Sequence, residues 1–509
     1  MIKMPDVTMS FELTEEVVLG QRITVFADRH RNLRELLEAS LAWGDRDYLV
    51  DGDRRISYAA HHAAVARVAA HLASSGVRSG DRVAIFGRNS IEWVVTFWAT
   101  VSLGAIAVGL NGWWSDDELA YAVNDCEPAI VVDDLAAIEA LLSGEAVAMP
   151  DVAIDEDDPA VILYTSGTTG RAKGATHSHR NLICLVQTQQ HLAASRVPPG
   201  VTLPPPRVLT STPLFHVSGL HSGVVACLAA GGTTIWQSGR FDPRATLSTI
   251  ERERCTSWTT MPTTLWRVLH EPTAKDHDLT SMRHVGGGGA AWSAALQAGI
   301  REVFGAEVTW GIGYGLTECT GLATTSSFAD LLAHPDNVGR PVATVEVRVE
   351  ETGEICIRGP MVMLGYWRNP VATAAVIDDE RWLHSGDLGE VRDGLLFLSA
   401  RRTDLILRGA ENVYPAEIEN CLEAHPAVAE VAVVGVPDEE FGQLVAAVVV
   451  PAAGIVAEPE DLASHVKDRL AYFKVPTRWV VRTEPLPRTA TGKVVRAEVL
   501  DQLMETMQR

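Results

Sequence analysis

The chain has 509 residues, 47% of them hydrophobic and 21% charged, the composition of a globular protein with an extensive core. At this length more than one domain is expected. With 43 Lys and Arg against 65 Asp and Glu, the net charge of −22 argues against wrapping nucleic acid or coating an anionic membrane. An anionic small ligand stays admissible where backbone amides and a few placed lysines hold it.

Cys126, Cys184, Cys227, Cys255, Cys319, Cys356 and Cys421 are dispersed, with no CxxC pair and no nearby His cluster, so neither a zinc site nor a disulfide framework is expected. A reducing cytoplasm fits. The segment from Met1 to Val17 carries Asp6, Glu12, Glu15 and Glu16 and lacks the apolar stretch of a secretory signal. The closing Met507-Gln508-Arg509 is not a peroxisomal address. The apolar run from Val94 to Leu110 is interrupted by Thr96, Thr100, Ser102, Gly104 and Gly109, and reads as a buried helix, a turn at Gly104 and a core strand rather than a membrane span.

In chain order, helical periodicity over Tyr58–Ala73 precedes a strand at Arg82–Phe86, the buried helix near Trp93 and a strand at Ala105–Leu110. Short β-branched runs then recur at Ala129–Val132, Ala160–Tyr164, Val208–Thr212, Thr233–Trp236 and Val308–Gly311. This alternation predicts an α/β fold with mostly parallel sheets covered by helices. The run Val197–Pro206 reads as a Pro-rich surface loop. After Asn337 short strands between Gly turns, at Val345–Glu350, Gly353–Arg358 and Gly394–Ser399, predict a small antiparallel or barrel-like part. From Asp404 onward the pattern predicts a helix at Pro415–Ala424, strands at Val428–Val434 and Leu444–Val450, a helix at Leu462–Leu470 and a basic tail. A boundary near Arg402 divides the chain into 1–401 and 402–509.

The stretch Thr165-Ser166-Gly167-Thr168-Thr169-Gly170-Arg171-Ala172-Lys173-Gly174 follows an apolar strand directly. Its glycines let successive N–H groups converge on one anion, its hydroxyls add donors, and Lys173 adds a point charge, which makes a cradle for a polyphosphate. The spacing is not that of a Walker A loop. A second glycine-rich turn, Gly311 to Glu318, ends in Thr317 and Glu318, a sufficient protein anchor for a Mg²⁺ that keeps its waters and phosphate oxygens, and its Tyr314 offers a flat face for a purine. A tight packing turn explains that pattern equally well. The run Gly286-Gly287-Gly288-Gly289-Ala290 is either an irregular loop or a backbone that approaches a ligand closely. Asp387 in His384-Ser385-Gly386-Asp387 could accept ribose hydroxyls or merely close a turn, and Lys493 in Thr491-Gly492-Lys493 is by default an exposed lysine.

The order of these pieces resembles that of the adenylate-forming superfamily, which includes acyl-CoA synthetases, firefly-type luciferases and the adenylation domains of peptide synthetases. The likeness spans nearly the whole chain. It is carried by Ser166–Gly174, Tyr314–Glu318, Ser385–Asp387, Glu411–Glu417 and Gly492-Lys493, with Trp113-Trp114 and Phe215-His216-Val217-Ser218-Gly219 pointing to stand-alone fatty- or aromatic-acid CoA ligases. The resemblance implies a large N-terminal domain of two α/β sheets plus a small β-barrel, and a small mobile α+β C-terminal lid. It implies that Thr165, Ser166, Gly167, Thr168, Thr169 and Lys173 embrace the ATP phosphates, with Thr165 and Glu318 at the Mg²⁺ and Thr317 beside them. Tyr314 would stack on adenine against Gly288-Gly289-Ala290, and Asp387 with Arg401 would hold the ribose. Lys493 would bridge the acid carboxylate and the α-phosphate, His216 would lie between acyl pocket and nucleotide, and Gly409 would line the way in for the CoA thiol.

The activity so implied is adenylation of a hydrophobic carboxylic acid followed by transfer to CoA. The alternative keeps the adenylate and passes it to a free amine. Trp258, Thr260, Pro262, His216, Gly311, Gly313 and Leu322 are expected to border the acyl pocket. Thr403 at the hinge position, with Ala400, Arg408, Ala410, Ile312 and Ala291, departs from the family pattern, and these departures bear on the acceptor step more than on activation. Neither nucleic acid nor a transmembrane segment is expected, and a homodimer stays open.

Overall fold

The apolar run after Val94 belongs to a helix, Ile91–Ser102, whose every residue is buried. Ser90 caps it, accepting the Trp93 N–H at 3.2 Å. Such a helix is about 18 Å long, too short to span a bilayer, and the chain turns at Gly104 (φ +64°) into the strand Ile106–Leu110. No helix among the described residues is long and apolar enough to cross a membrane. In this computed structural model the described residues are 10–112, 114, 116–165, 172–197, 201, 203–237, 241–288, 292, 294–401, 404–408, 411–438, 442–470, 472–489 and 493–507.

Two sheets carry the large N-terminal domain. The six-stranded sheet runs Gly365–Tyr366, Lys173–Ser178, Pro159–Thr165, Ile106–Leu110, Arg82–Phe86 and Ile130–Val132. Its last four strands are parallel and its first two join antiparallel. The larger sheet has thirteen strands. Its parallel heart runs Asp47–Asp51, Thr233–Trp236, Arg207–Thr210, Ser257–Thr260, His284–Gly288 and Thr309–Tyr314. One buried cluster joins Leu49 and Trp236 of the larger sheet to Val83 and Val161 of the smaller through Trp93, Phe97 and Trp98.

Three local features of these sheets shape the site. The glycine run is no irregular loop up to Gly288. It is a parallel strand, tolerated because its neighbours approach so closely that a Cβ on Gly287 would lie 2.3 Å from the Thr260 carbonyl oxygen. Thr165 and Lys173, which flank the polyphosphate motif, are paired in an antiparallel hairpin. The antiparallel strands Asn337–Pro341, Leu395–Arg401, Leu383–Arg392, Glu354–Arg358 and Glu346–Val349 form the small antiparallel part expected after Asn337, and they join the larger sheet through Thr324–Thr325.

From Ile406 onward the described strands pair among themselves as a five-stranded sheet. Alternation along Val428–Asp438 sends Val431 and Val433 to one face, with Ile418, Leu422 and Leu462, and Ala432 and Val434 to the other, with Val499 and Leu503. The expected basic tail is therefore a packing helix, Arg496–Met507. The small C-terminal domain thus has its own core. Residues 402–403, where the sequence reading sets the boundary and the Thr403 hinge, lie outside the described residues.

Candidate active site

A cavity of about 1400 Å³ lies where the two sheets meet the C-terminal domain. The Pro159–Thr165 and Lys173–Ser178 hairpin brings Thr165 and Lys173 to its wall as paired residues. The Lys173 ammonium lies 5.1 Å from the centre of the Tyr366 ring, a cation–π contact. Tyr366 also donates its hydroxyl to Glu318 Oε1 at 2.7 Å. One aromatic ring therefore steadies both a cation and a carboxylate at the same wall.

Thr317 and Glu318 follow the strand Thr309–Tyr314 in a 3₁₀ turn that ends at Thr320 (φ +61°). Two buried histidines hold this turn from below. His177 Nε2 donates to the Thr317 carbonyl oxygen at 2.7 Å, and His221 Nδ1 lies 3.3 Å from that of Thr320. The rings meet edge to face at 5.1 Å. Burial pushes His177 down to about 4 and His221 well below its usual range, so both stay neutral at physiological pH.

His216 lies ahead of the helix Ser218–Val225 and borders the cavity. Asn89 clasps the approach to it, accepting from the Leu214 N–H at 2.9 Å and donating to the Thr212 carbonyl at 3.0 Å. The Ser218 N–H donates to His216 Nδ1 at 3.4 Å, which leaves the proton of the neutral ring on Nε2. Burial, with the Lys493 charge adding to it, lowers His216 to about 4. Lys493 borders the same cavity, on a turn where the Thr489 N–H donates to its carbonyl at 2.7 Å. Arg488, Thr489 and Val495 line the cavity with it, so the C-terminal domain forms part of the wall.

The nucleoside residues are arranged less openly than the sequence reading foresees. Tyr314 is 7% exposed, packs into the core and donates its hydroxyl to Asp387 Oδ2 at 2.9 Å. Burial raises its hydroxyl well above the usual range. The expected open face of Tyr314 is therefore turned into the core in this structure. Asp387, 8% exposed, lies across the ladder from Arg401. Ser385, Gly386 and Gly288 reach the cavity wall directly. Ser166, Gly167, Thr168, Thr169, Gly289, Ala290 and Gly409 lie outside the described residues, as does the Arg401 side chain.

Residues 37–367 match the model of the AMP-binding enzyme family, and residues 417–493 match the AMP-binding enzyme C-terminal domain. The chain belongs to the AMP-binding enzyme family. It is 36% identical over 477 residues to a feruloyl-CoA synthase of Amycolatopsis sp, covering 88% of this chain and 94% of that protein. ATP-bound MatB from Rhodopseudomonas palustris superposes with a TM-score of 0.83 at 32% identity, over 94% of this chain and 99% of that one. The amide bond synthetase McbA from Marinactinospora thermotolerans does so with 0.80 at 29% identity, over 92% and 99%.

Of the acyl-pocket residues expected in this family member, His216, Thr260, Gly311, Gly313 and Leu322 border the cavity. Trp258 does not. Its indole is fully buried in the core and donates to Ser211 Oγ at 2.9 Å. Pro262 instead opens the helix Pro262–Leu269. Sequence reasoning missed Gln189, Arg196, Ser222 and His284, all on the cavity wall. Arg196 at the end of the helix His179–Ser195 reads as a partner for the helix dipole, and His284 as the start of a strand; neither carries a motif.

Proposed function

We propose that this enzyme activates a carboxylic acid with ATP and passes the acyl group to CoA. In the first step a carboxylate oxygen attacks the α-phosphorus of ATP, the bond to the bridging oxygen of pyrophosphate breaks, and acyl-AMP forms. In the second the CoA thiol attacks the acyl carbon, loses its proton and expels AMP. The observation that carries the reading is a single cavity in which Lys493 of the C-terminal domain faces Thr165, Lys173, Thr317 and Glu318 of the N-terminal domain.

The chemistry requires that arrangement. Two anions must meet while charge builds on the departing pyrophosphate, so fixed cations are worth most in the transition state. Lys493 bridges the acid and the α-phosphate, and Lys173 with the Thr165 hydroxyl and the Ser166–Thr169 loop holds the outer phosphates. Asp387, steadied by the Tyr314 hydroxyl, takes the ribose with Arg401, and Gly288 through Ala290 lies against the adenine. His216, neutral, separates the acyl chain from the nucleotide. Glu318 with Thr317, already oriented by Tyr366 and His177, has the donor set of a Mg²⁺ held largely by phosphate oxygens, and the ion would neutralise charge on the leaving group. Gly409 borders the path of the thiol. A reducing cytoplasm suits seven unpaired cysteines.

Transfer to an amine is the second reading, favoured by the likeness to an amide bond synthetase. Pyrophosphate release from ATP, measured over a panel of carboxylic acids and then with CoA or an amine added, separates the two. Acid-dependent pyrophosphate and CoA-dependent AMP are expected. AMP release driven only by amine would replace the acceptor, and cleavage of ATP to ADP and phosphate would overturn the function.

A further inference from the structure

The floor of the cavity is built from two neighbouring parallel strands whose inward positions, beyond His284 and Thr309 at their start, lack side chains. His284 pairs with Thr309, Gly286 with Gly311 and Gly288 with Gly313, and residues two apart share a face of the sheet. His284 and all four of these glycines border the cavity. The result is a trough that opens at its carboxyl end toward Thr317 and Glu318, the end at which ligands of open α/β sheets react. Its other end lies about 13 Å away, four residues back along a strand that rises about 3.3 Å per residue.

That far end is polar. Arg196 reaches over it, close enough that a Cβ on Gly311 would lie 3.6 Å from its Nη2 and 3.3 Å from His284 Cε1. Among the described residues the Arg196 guanidinium takes neither an ion pair nor a hydrogen bond; the residue as a whole is exposed, and partial burial of the guanidinium at the cavity lowers its basicity. His284 is neutral, lowered to about 4 by burial and then by Arg196. Thr309 Oγ1 donates to the Arg283 carbonyl at 3.2 Å, so it accepts from His284 Nδ1 at 3.1 Å, and Nε2 is left as an acceptor. The far end thus offers a cationic donor beside a neutral acceptor.

We propose that the acid activated here carries an acceptor oxygen at the end of its acyl body opposite the reacting carboxylate, and that Arg196 binds it, with His284 alongside. The inference rests on the acid-activating function proposed above and narrows its substrate class. A wholly apolar acyl end would press hydrocarbon against a guanidinium without a partner among the described residues and displace water from the side of it that faces the cavity, which opposes binding. A carboxylate or ketone oxygen takes the Arg196 donors, and a hydroxyl takes those donors while giving its proton to His284 Nε2.

The test compares acids that differ only at the far end: cinnamates bearing a 4-carboxy, 4-hydroxy, 4-acetyl or 4-ethyl group, and octanoate against its terminal carboxylate and terminal hydroxyl analogues. Pyrophosphate release gives kcat/KM for the wild-type enzyme and for Arg196→Met, Arg196→Lys and His284→Phe. In at least one series the best oxygen-bearing acid should exceed its apolar match by about 10- to 100-fold, the worth of a hydrogen bond to a charged group. Arg196→Met should reduce that ratio to near unity, Arg196→Lys should retain part of it, and His284→Phe should lower it for the hydroxyl acids alone. Preference for the apolar acids in the wild type, or the same ratio in Arg196→Met, overturns the proposal while leaving acid activation intact. Absence of pyrophosphate release with every acid overturns both.

Discussion

Replacing Gly311 with valine tests whether the glycine floor is the bed of the acyl group. A Cβ at this position meets His284 Cε1 at 3.3 Å and Nε2 at 3.5 Å, close enough to need a shift of a few tenths of an ångström but far from any backbone atom within 3 Å. The fold should therefore survive, with a thermal midpoint near that of the wild type, while the two further methyl groups rise into the trough. Crowding of a fitted apolar surface costs about 1–3 kcal/mol, or roughly 5- to 150-fold in kcat/KM for ring-bearing acids. Acetate and propionate, too short to reach Gly311 from the reacting end, should be nearly unaffected, and the affinity for ATP should hold. Gly288→Ala is the contrast, because its Cβ would lie 2.4 Å from the Gly313 carbonyl oxygen, a backbone atom that cannot yield. That variant should lose stability and activity toward every acid alike. Equal losses for short and ring-bearing acids in Gly311→Val, or no loss for either, would refute the assignment of this floor to the substrate.

Lys493→Ala should depress acyl-AMP formation about 100- to 1000-fold, the scale for removing one preorganised charge from a transition state. ATP binding by calorimetry, and CoA transfer from chemically prepared acyl-AMP, should be kept; a matching loss in all three would mean that the lysine acts through structure. Arg29, whose buried side chain pairs with Glu16 and Glu156, ties the strand Leu13–Val18 to the body, and Arg29→Met should cost about 3 kcal/mol in urea denaturation because two partly buried carboxylates lose a partner. An unchanged midpoint would show that Arg180, which also pairs with Glu16 and Glu156, suffices alone. His177, held near 4 in the fold against 6.5 when free, gains its proton first in the unfolded chain, so its share of stability is full above about pH 6.5 and is lost as pH falls toward 4. His177→Gln keeps a donor for the Thr317 carbonyl without titrating and should flatten the acid limb of the stability curve by up to about 1.4 kcal/mol per pH unit; an unaltered slope would refute the role.

Elements with a strong period were legible in the sequence. The helix Tyr58–Ser74 and the strands Arg82–Phe86 and Thr233–Trp236 stand where apolar spacing puts them. Elements that escaped lack that spacing for identifiable reasons. His179–Ser195 is buried on every side over its first ten residues, among them His179, Arg180, Asn181 and Gln187, so polar residues satisfied by capping and ion pairs hide its helical face. Arg180 pairs with Asp157 and Asn181 donates to the Pro360 carbonyl, partners remote in sequence. The strand His284–Gly288 is nearly all glycine and has no β-branched run; only the closeness of its neighbours makes it a strand.

The candidate site divides in the same way. Residues proposed to act by charge, such as Lys173, Glu318 and Lys493, sit in short motifs and reach the cavity as the sequence order implies. Residues that act by absence, or by another residue's position, do not announce themselves. Gly286 and Gly311 matter because nothing projects from them, and His177 matters because it holds the carbonyl of Thr317, 140 positions away. Tyr314 shows the converse. Its motif is plain, yet its hydroxyl belongs to Asp387 and its ring to the core, so in the proposed nucleotide site it would act through the carboxylate it orients. As proposed, substrate choice turns on the least conspicuous positions, the empty floor and the Arg196 guanidinium that has no partner among the described residues, while activation turns on the conspicuous ones.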